Sequence, residues 1–177
     1  FDNTKIVIAT QLIDQVLKEC EIKNYKLIKK IKGKDFEGTI CLHPFENLGY
    51  QYDVPMLEAN FVTLEQGTGF VHCAPSHGPD DFNLCLKHGI KSLDTIDDDG
   101  RYTKHIKKFE GIHIFKADQI VIENLKECKK LLSNGKLTHS YPHSWRSKAP
   151  LVHRATSQWF ISMEEKDLRK KALKAID

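Results

Sequence analysis

The chain has 177 residues, with 27 Lys and Arg against 24 Asp and Glu for a formal charge of +3, and apolar and charged shares of 40% and 29%. Those proportions exclude an intrinsically disordered chain, and no apolar run approaches the roughly 18 to 20 residues that cross a bilayer. The length allows one domain with a sizeable core plus a small appendage, and the slight basic balance permits a nucleic-acid partner without requiring one.

Thr10 to Cys20 places Leu12, Ile13, Val16 and Leu17 on one helical face, with Thr10 as the expected N-cap. Tyr25 to Ile31 alternates as a strand does and stops at Gly33. Lys26, Lys29, Lys30, Lys32 and Lys34 cluster around it, either as a solvated face or as a patch that contacts phosphates. Gly38 to Leu42 reads as a short strand. Val54 to Val62 contains Pro55 and is at best an edge strand or an irregular extended piece. Gly67 to Ala74 reads as a buried strand, followed by a helix from Pro79 to His88 that Gly89 ends. Asp97-Asp98-Asp99-Gly100 forms a turn, and it lacks the later acid that a calcium loop needs. Lys116 to Leu132 is the longest helical pattern, carried by Ile120, Val121, Leu125, Leu131 and Leu132 and closed by Gly135. Beyond it the segment Ser140 to Lys148 is aromatic and basic. Strand-like runs at Leu151 to Ala155 and Gln158 to Ser162 precede an amphipathic tail, Glu164 to Ile176. Short, unevenly spaced strands between single helices point to a mixed fold with a β core, not a doubly wound sheet.

Cys20, Cys41, Cys73, Cys85 and Cys128 form an odd, scattered set of five without a CxxC pair. Free thiols and a reducing, cytoplasmic setting are therefore expected. The opening Phe1-Asp2-Asn3-Thr4-Lys5 lacks the apolar centre of a signal peptide.

The richest stretch is Gly67-Thr68-Gly69-Phe70-Val71-His72-Cys73-Ala74-Pro75-Ser76-His77-Gly78-Pro79-Asp80-Asp81-Phe82. It brings two histidines and a carboxylate pair to one strand-to-helix junction. Gly67-Thr68-Gly69 is not a dinucleotide fingerprint, since the third glycine is missing and the pair precedes the strand. A zinc site is disfavoured because His72 and His77 straddle the Ala74-Pro75 break with no HExxH or cysteine pair beside them. Nucleophilic catalysis is disfavoured too: Ser76 has no glycine-flanked elbow, and Cys73 reads as an ordinary buried thiol. Two readings stay open for the acids. Asp80 and Asp81 either cap their helix, or Asp81, ionised and favoured by the helix dipole, holds an ammonium group beside His72.

These residues resemble the signature of the editing domain inserted in isoleucyl-tRNA synthetases. The likeness runs on through Asp97 to Tyr102, Glu110-Gly111-Ile112-His113-Ile114-Phe115-Lys116-Ala117, His139-Ser140-Tyr141-Pro142, Trp145 to Leu151 and Arg154-Ala155-Thr156-Ser157-Gln158-Trp159-Phe160. Valyl enzymes typically carry a lysine where His72 stands, and leucyl enzymes an apolar residue. His72 with Ser76 to Asp81 is similar to the bacterial isoleucyl type.

The resemblance implies an α+β fold: a small distorted β-barrel core with flanking helices, plus a C-terminal β-ribbon and helix. Residues 1–140 would form the editing domain and residues 141–177 the return path toward the synthetase's catalytic domain. The implied activity is hydrolysis of valine misattached to the isoleucine tRNA. An apolar synthetic site separates side chains one methylene apart by only roughly 1–3 kcal/mol, a limit for which this enzyme family is itself the familiar example. Asp81 would bind the α-ammonium and His72 would exclude isoleucine, both being the implied catalytic pair. His72, Asp81, His77, Gly69 and Phe70 would bind substrate. Editing would need no metal or cofactor, whereas ATP and Mg belong to the parent enzyme's synthetic site outside these residues. The implied partners are the tRNA(Ile) acceptor end carrying valine and the rest of the synthetase, with no membrane and a monomeric state. The family's threonine-rich pocket wall has no counterpart in Phe1 to Thr10, so the chain reads as truncated on that side. A noncatalytic module that binds tRNA or an amino acid is the alternative, and a metal-dependent hydrolase ranks behind it.

Overall fold

The computed structural model describes residues 4–65, 67–136 and 138–176, and its architecture is α+β. The opening Phe1 and Asp2 lie outside the described residues. A 3-10 turn, Thr10–Leu12, leads into α1, Ile13–Glu19. Leu12 and Val16 are buried one turn apart while Asp14, Gln15 and Lys18 face solvent, so the stripe expected from the sequence is the face that packs. Thr10 does not cap this helix: the chain enters through an extended Ala9 with no side-chain cap. Instead the Ala9 N–H donates to the Thr68 carbonyl at 2.8 Å, which ties the helix entrance to the glycine turn at residues 67–69.

Among the described residues the sheet has two strands, β1 (Ile40–Cys41) and β2 (Val54–Pro55), paired antiparallel with Ile40 opposite Pro55 and Cys41 opposite Val54. Pro55 sits where a missing N–H is tolerated, in a strand of the sheet's edge. The runs expected as strands at residues 25–31, 67–74, 151–155 and 158–162 join no ladder. Alternation decides which side chains share a face, but a strand also needs a neighbour whose N–H and C=O groups pair with its own. Tyr25, Leu27, Ile28 and Ile31 accordingly stay exposed. The C-terminal ribbon is reduced to a hairpin-like loop. Leu151 N–H donates to Pro142 C=O at 3.0 Å and Ser144 N–H to Ala149 C=O at 2.8 Å, around a left-handed Lys148.

α2, Pro79–Lys87, starts with proline in its first turn, where no N–H is needed. It ends as expected: Gly89 is left-handed at φ +71°, and the Ile90 N–H reaches back to the Cys85 carbonyl at 2.8 Å. α3, Ala117–Glu127, stops well short of Gly135. Lys129 takes the left-handed position instead, with Lys130 N–H bonded to Leu125 C=O at 2.9 Å, so a non-glycine residue closes the helix. α4, Leu168–Lys174, lies within the amphipathic tail after a 3-10 turn at Glu165–Asp167. Phe45, Cys85, Ile96, Phe109 and Ala117 complete the buried apolar set with Leu12 and Val16. The acidic turn forms as expected, with Asp97 Oδ1 accepting from Asp99 N–H at 3.0 Å and Arg101 N–H at 2.8 Å.

The accessible surface of 15237 Å² is about 1.7 times the roughly 8,800 Å² of a compact monomer of this mass. Trp145, Trp159, Phe160 and Ile161 are all strongly exposed.

Gly69 is fixed by space as well as by conformation. It has φ +84°, and a Cβ there would lie 2.6 Å from the Ala9 Cβ, whereas Gly89 has open space around it. Gly89→Ala is expected to cost about 1–2 kcal/mol for the left-handed backbone alone. Gly69→Ala adds an overpacking cost of about 1–3 kcal/mol. Urea unfolding midpoints of the two variants check this; equal losses would show that the Ala9 contact yields freely.

Candidate functional site

The junction between residue 67 and α2 is assembled by backbone hydrogen bonds and a few polar side chains. Thr68 Oγ1 and the Phe70 backbone bond each other across the glycine turn, at 3.3 and 3.4 Å. Phe70 is partly exposed and meets Phe36 edge to face at 5.7 Å. Val71 and His72 point outward, and Cys73 is half-buried. The chain then turns at Ala74, whose carbonyl accepts from His77 N–H at 2.9 Å.

Asp81 is half-buried in the first turn of α2, where the helix dipole favours its negative charge. It does not cap its own helix, since Gly78 occupies the N-cap with no side-chain bond there. Instead Asp81 Oδ2 accepts from the Ala74 N–H at 2.9 Å, which folds the carboxylate back over the end of the extended segment. The Cys73 thiol is pushed up by burial first, then by the Asp81 charge, by Cys85 and by its hydrogen bond to Asp81. With its pKa raised, Cys73 is a poor nucleophile at neutral pH.

Ser76 and His77 hold the junction in place. Ser76 is 5% exposed, and its hydroxyl donates to the Leu93 carbonyl at 2.5 Å beside the Ser92 hydroxyl at 2.9 Å. His77 spans two segments, with Nδ1 2.9 Å from the His153 carbonyl and Nε2 2.6 Å from Thr95 Oγ1. A carbonyl only accepts, so Nδ1 carries the hydrogen, and the Nε2 of a neutral ring accepts from the Thr95 hydroxyl. The Ala155 N–H donates to the Ser76 carbonyl at 2.8 Å, and Arg154 reaches the Ile96 carbonyl at 3.3 Å and Asp98 at 2.5 Å. Residues 153–155 thus strap the junction to the 92–98 segment.

Gly69, Phe70, His72, His77 and Asp81 all lie on this one junction, but the structure groups them unequally. Asp81 faces inward, His72 is exposed, and both ring nitrogens of His77 are engaged within the protein. A cavity of about 450 Å³ opens among Asp94, Asp97, Tyr102, Thr103, Glu110 and Gly111, and neither His72 nor Asp81 lines it. Among the described residues no three His, Cys, Asp or Glu side chains converge where a metal ion could sit. Two groups were not anticipated from the sequence. One is the strap residues Thr95, His153 and Arg154. The other is His43, held among Phe45, Tyr50 and Tyr52, whose pKa is lowered by burial and then by the His72 charge. The density of aromatic residues between His43 and Tyr52 is the signal that could have found the second.

Residues 4–131 match the family model described as the leucyl-tRNA synthetase editing domain. Over all 177 residues the chain is 74% identical to an isoleucine–tRNA ligase of Pelagibacter ubique (strain HTCC1062), covering 100% of this chain and 20% of that protein. It is 45% identical over 170 residues to the isoleucine–tRNA ligase of Hahella chejuensis (strain KCTC 2396), with coverages of 96% and 18%. The corresponding protein of Gluconobacter oxydans (strain 621H) is 44% identical over 185 residues, with coverages of 98% and 19%. The chain thus spans about a fifth of the length of these curated relatives.

The Asp81–Cys73 contact has a direct chemical readout. Asp81→Asn keeps an acceptor for the Ala74 N–H but removes the charge that disfavours the thiolate. Alkylation of Cys73 by iodoacetamide at pH 8 is expected to accelerate several-fold while Cys20 reacts unchanged. An unaltered Cys73 rate would separate the two side chains.

Proposed function

Because this chain belongs to the synthetase editing-domain family, in the form carried by isoleucine–tRNA ligases, we propose that it hydrolyses valine from misacylated tRNA(Ile). The observation that carries this is the carboxylate of Asp81, fixed at the junction by the Ala74 N–H at 2.9 Å. An anion already held in place binds an ammonium group without the cost of ordering it first. Asp81 takes the α-ammonium of the misattached valine, and His72 limits the size of the side chain. Gly69 and Phe70 shape the adjoining wall. His77, with both nitrogens engaged, serves by positioning the junction. A water molecule attacks the ester carbonyl, and the protein contributes orientation and electrostatics, without a metal or a covalent intermediate.

In this reading residues 1–140 form the editing unit, with a small distorted β-barrel completed around β1 and β2. Residues 141–177 carry the hairpin-like loop and α4 back toward the rest of the synthetase. There ATP and Mg serve ligation of isoleucine to its tRNA, in a cytoplasmic, monomeric enzyme. No helix among the described residues is long and apolar enough to cross a membrane. The engagement of the Asp81 carboxylate by the Ala74 N–H, outside the cavity among residues 94–111, favours the second reading, a noncatalytic module that binds the tRNA end or the amino acid.

Deacylation assays on a full-length isoleucine–tRNA ligase carrying this segment decide between them. Losing a hydrogen bond to a charged group lowers binding by roughly 1.5–3 kcal/mol, so Asp81→Ala is expected to slow valyl-tRNA hydrolysis about 10- to 150-fold. His72→Ala is expected to leave valyl-tRNA hydrolysis in place and admit isoleucyl-tRNA. Undiminished hydrolysis in Asp81→Ala would remove that residue from the site. A uniform loss of rate with the valine preference intact would make His72 structural.

A further inference from the structure

The loop between β1 and β2 carries a layered set of rings beside the candidate site. The His43 imidazole stacks on Tyr50 with centroids 4.9 Å apart and planes 18° apart, and meets Tyr52 at 5.2 Å and 51°. Phe45 lies 5.8 Å from His43 and 6.0 Å from Tyr50, and joins them to buried Phe109 at 5.8 Å. The Phe45 N–H donates to His43 Nδ1 at 3.0 Å, which sets the ring's orientation and places its hydrogen on Nε2.

Three features set this cluster apart from an ordinary patch of core. Tyr52 is 57% exposed, so its ring is open to a further layer. The Tyr50 hydroxyl donates to the Lys107 carbonyl at 2.6 Å, which fastens the rings to the exposed basic turn of Lys104, His105, Lys107 and Lys108. The Lys107 side chain crosses the same loop, its Cδ and Nζ 3.5 and 3.7 Å from where a Cβ on Gly49 would sit. Finally, His72 of the candidate site is near enough for its charge to oppose protonation of His43.

Resting on the deacylation proposed above, we propose that the Tyr52–His43–Tyr50 stack and the Lys107 turn seat the single-stranded acceptor end of the tRNA. An unpaired base stacks on Tyr52 and its phosphate meets Lys107. Every base has a π-face, so stacking rings beside lysines hold single-stranded nucleic acid without reading its sequence. An aliphatic or acidic partner would use one of those features and waste the other. Burial pushes the Tyr50 hydroxyl up to about 12 and the Tyr52 hydroxyl upward as well, so neither becomes a phenolate that repels phosphate near neutral pH.

In a full-length isoleucine–tRNA ligase carrying this segment, Tyr52→Ala is expected to raise the KM for valyl-tRNA about 10-fold with kcat nearly unchanged, the scale of one lost stacking ring. Tyr52→Phe keeps the native KM. Lys107→Ala makes the dependence of log KM on log salt shallower by about one phosphate contact. Hydrolysis of valine ethyl ester, which has neither base nor phosphate, stays native in all three variants. A KM within about twofold of native for Tyr52→Ala overturns the proposal, and so does an equal loss on valine ethyl ester, which would make the stack a packing element. Binding of a short single-stranded RNA is measured alongside. If the native enzyme hydrolyses no valyl-tRNA, the deacylation reading fails by itself, whereas unchanged RNA binding in Tyr52→Ala overturns the seat.

Discussion

One hydrogen bond, from the Ala74 backbone N–H to the Asp81 side-chain Oδ2, determines what the junction can do. Without it Asp81 would be one more acid in the first turn of a helix, a residue whose usual work is capping. With it the carboxylate is drawn across the turn to the last residues of the extended segment, next to Cys73 and one residue from His72. Burial and that anion together keep the Cys73 thiol protonated, so the site offers a fixed negative charge and no nucleophile. A chemistry built on binding an amine and orienting a water suits such a site better than covalent catalysis does.

The junction is held from behind by bonds of unequal worth. Ser76 and His77 make four side-chain contacts to residues 92–95 and 153, and the Ala155 N–H adds a backbone bond to Ser76. Each such bond is worth on the order of 1 kcal/mol, and more is lost when a buried partner such as the Ser76 hydroxyl is left unpaired. The Arg154–Asp98 ion pair adds little by comparison, because the Asp98 side chain is 94% exposed and solvent screens the attraction. The strap therefore works through the backbone of residues 153–155 and the His77 ring more than through its charges. A segment far along the chain, from the strand-like run after the aromatic and basic stretch, is what fixes the turn that places Asp81.

Much of this was legible in the sequence wherever the cause is local. The stripe of Leu12 and Val16, the proline start and glycine end of α2, the edge position of Pro55 and the Asp97 turn follow from periodicity and turn chemistry that involve only near neighbours. Failures came where the deciding partner is distant. Thr10 lost its capping place to the bond between Ala9 and Thr68. α3 stopped at Cys128 because Lys129 accepts the left-handed position that the sequence assigns to Gly135. The alternating runs at 25–31 and 158–162 found no neighbouring strand, and alternation carries no information about who the neighbour is. At the site, the spacing of residues 67–82 announced a polar junction. It could not say that Asp81 turns inward, that His77 is consumed by Thr95 and His153, or that His43 arrives from a loop 29 positions before His72.

Pairing of the Asp81 carboxylate with the ammonium group of the misattached amino acid can be read from one substrate comparison. The native full-length enzyme carrying this segment would be given tRNA esterified with valine or with 2-hydroxyisovaleric acid, which matches valine in size but has a hydroxyl in place of the ammonium. If the carboxylate holds the ammonium group, the valyl ester is hydrolysed at least about ten times faster, the lower limit for a hydrogen bond to a charged group. Equal rates for the two esters would contradict it.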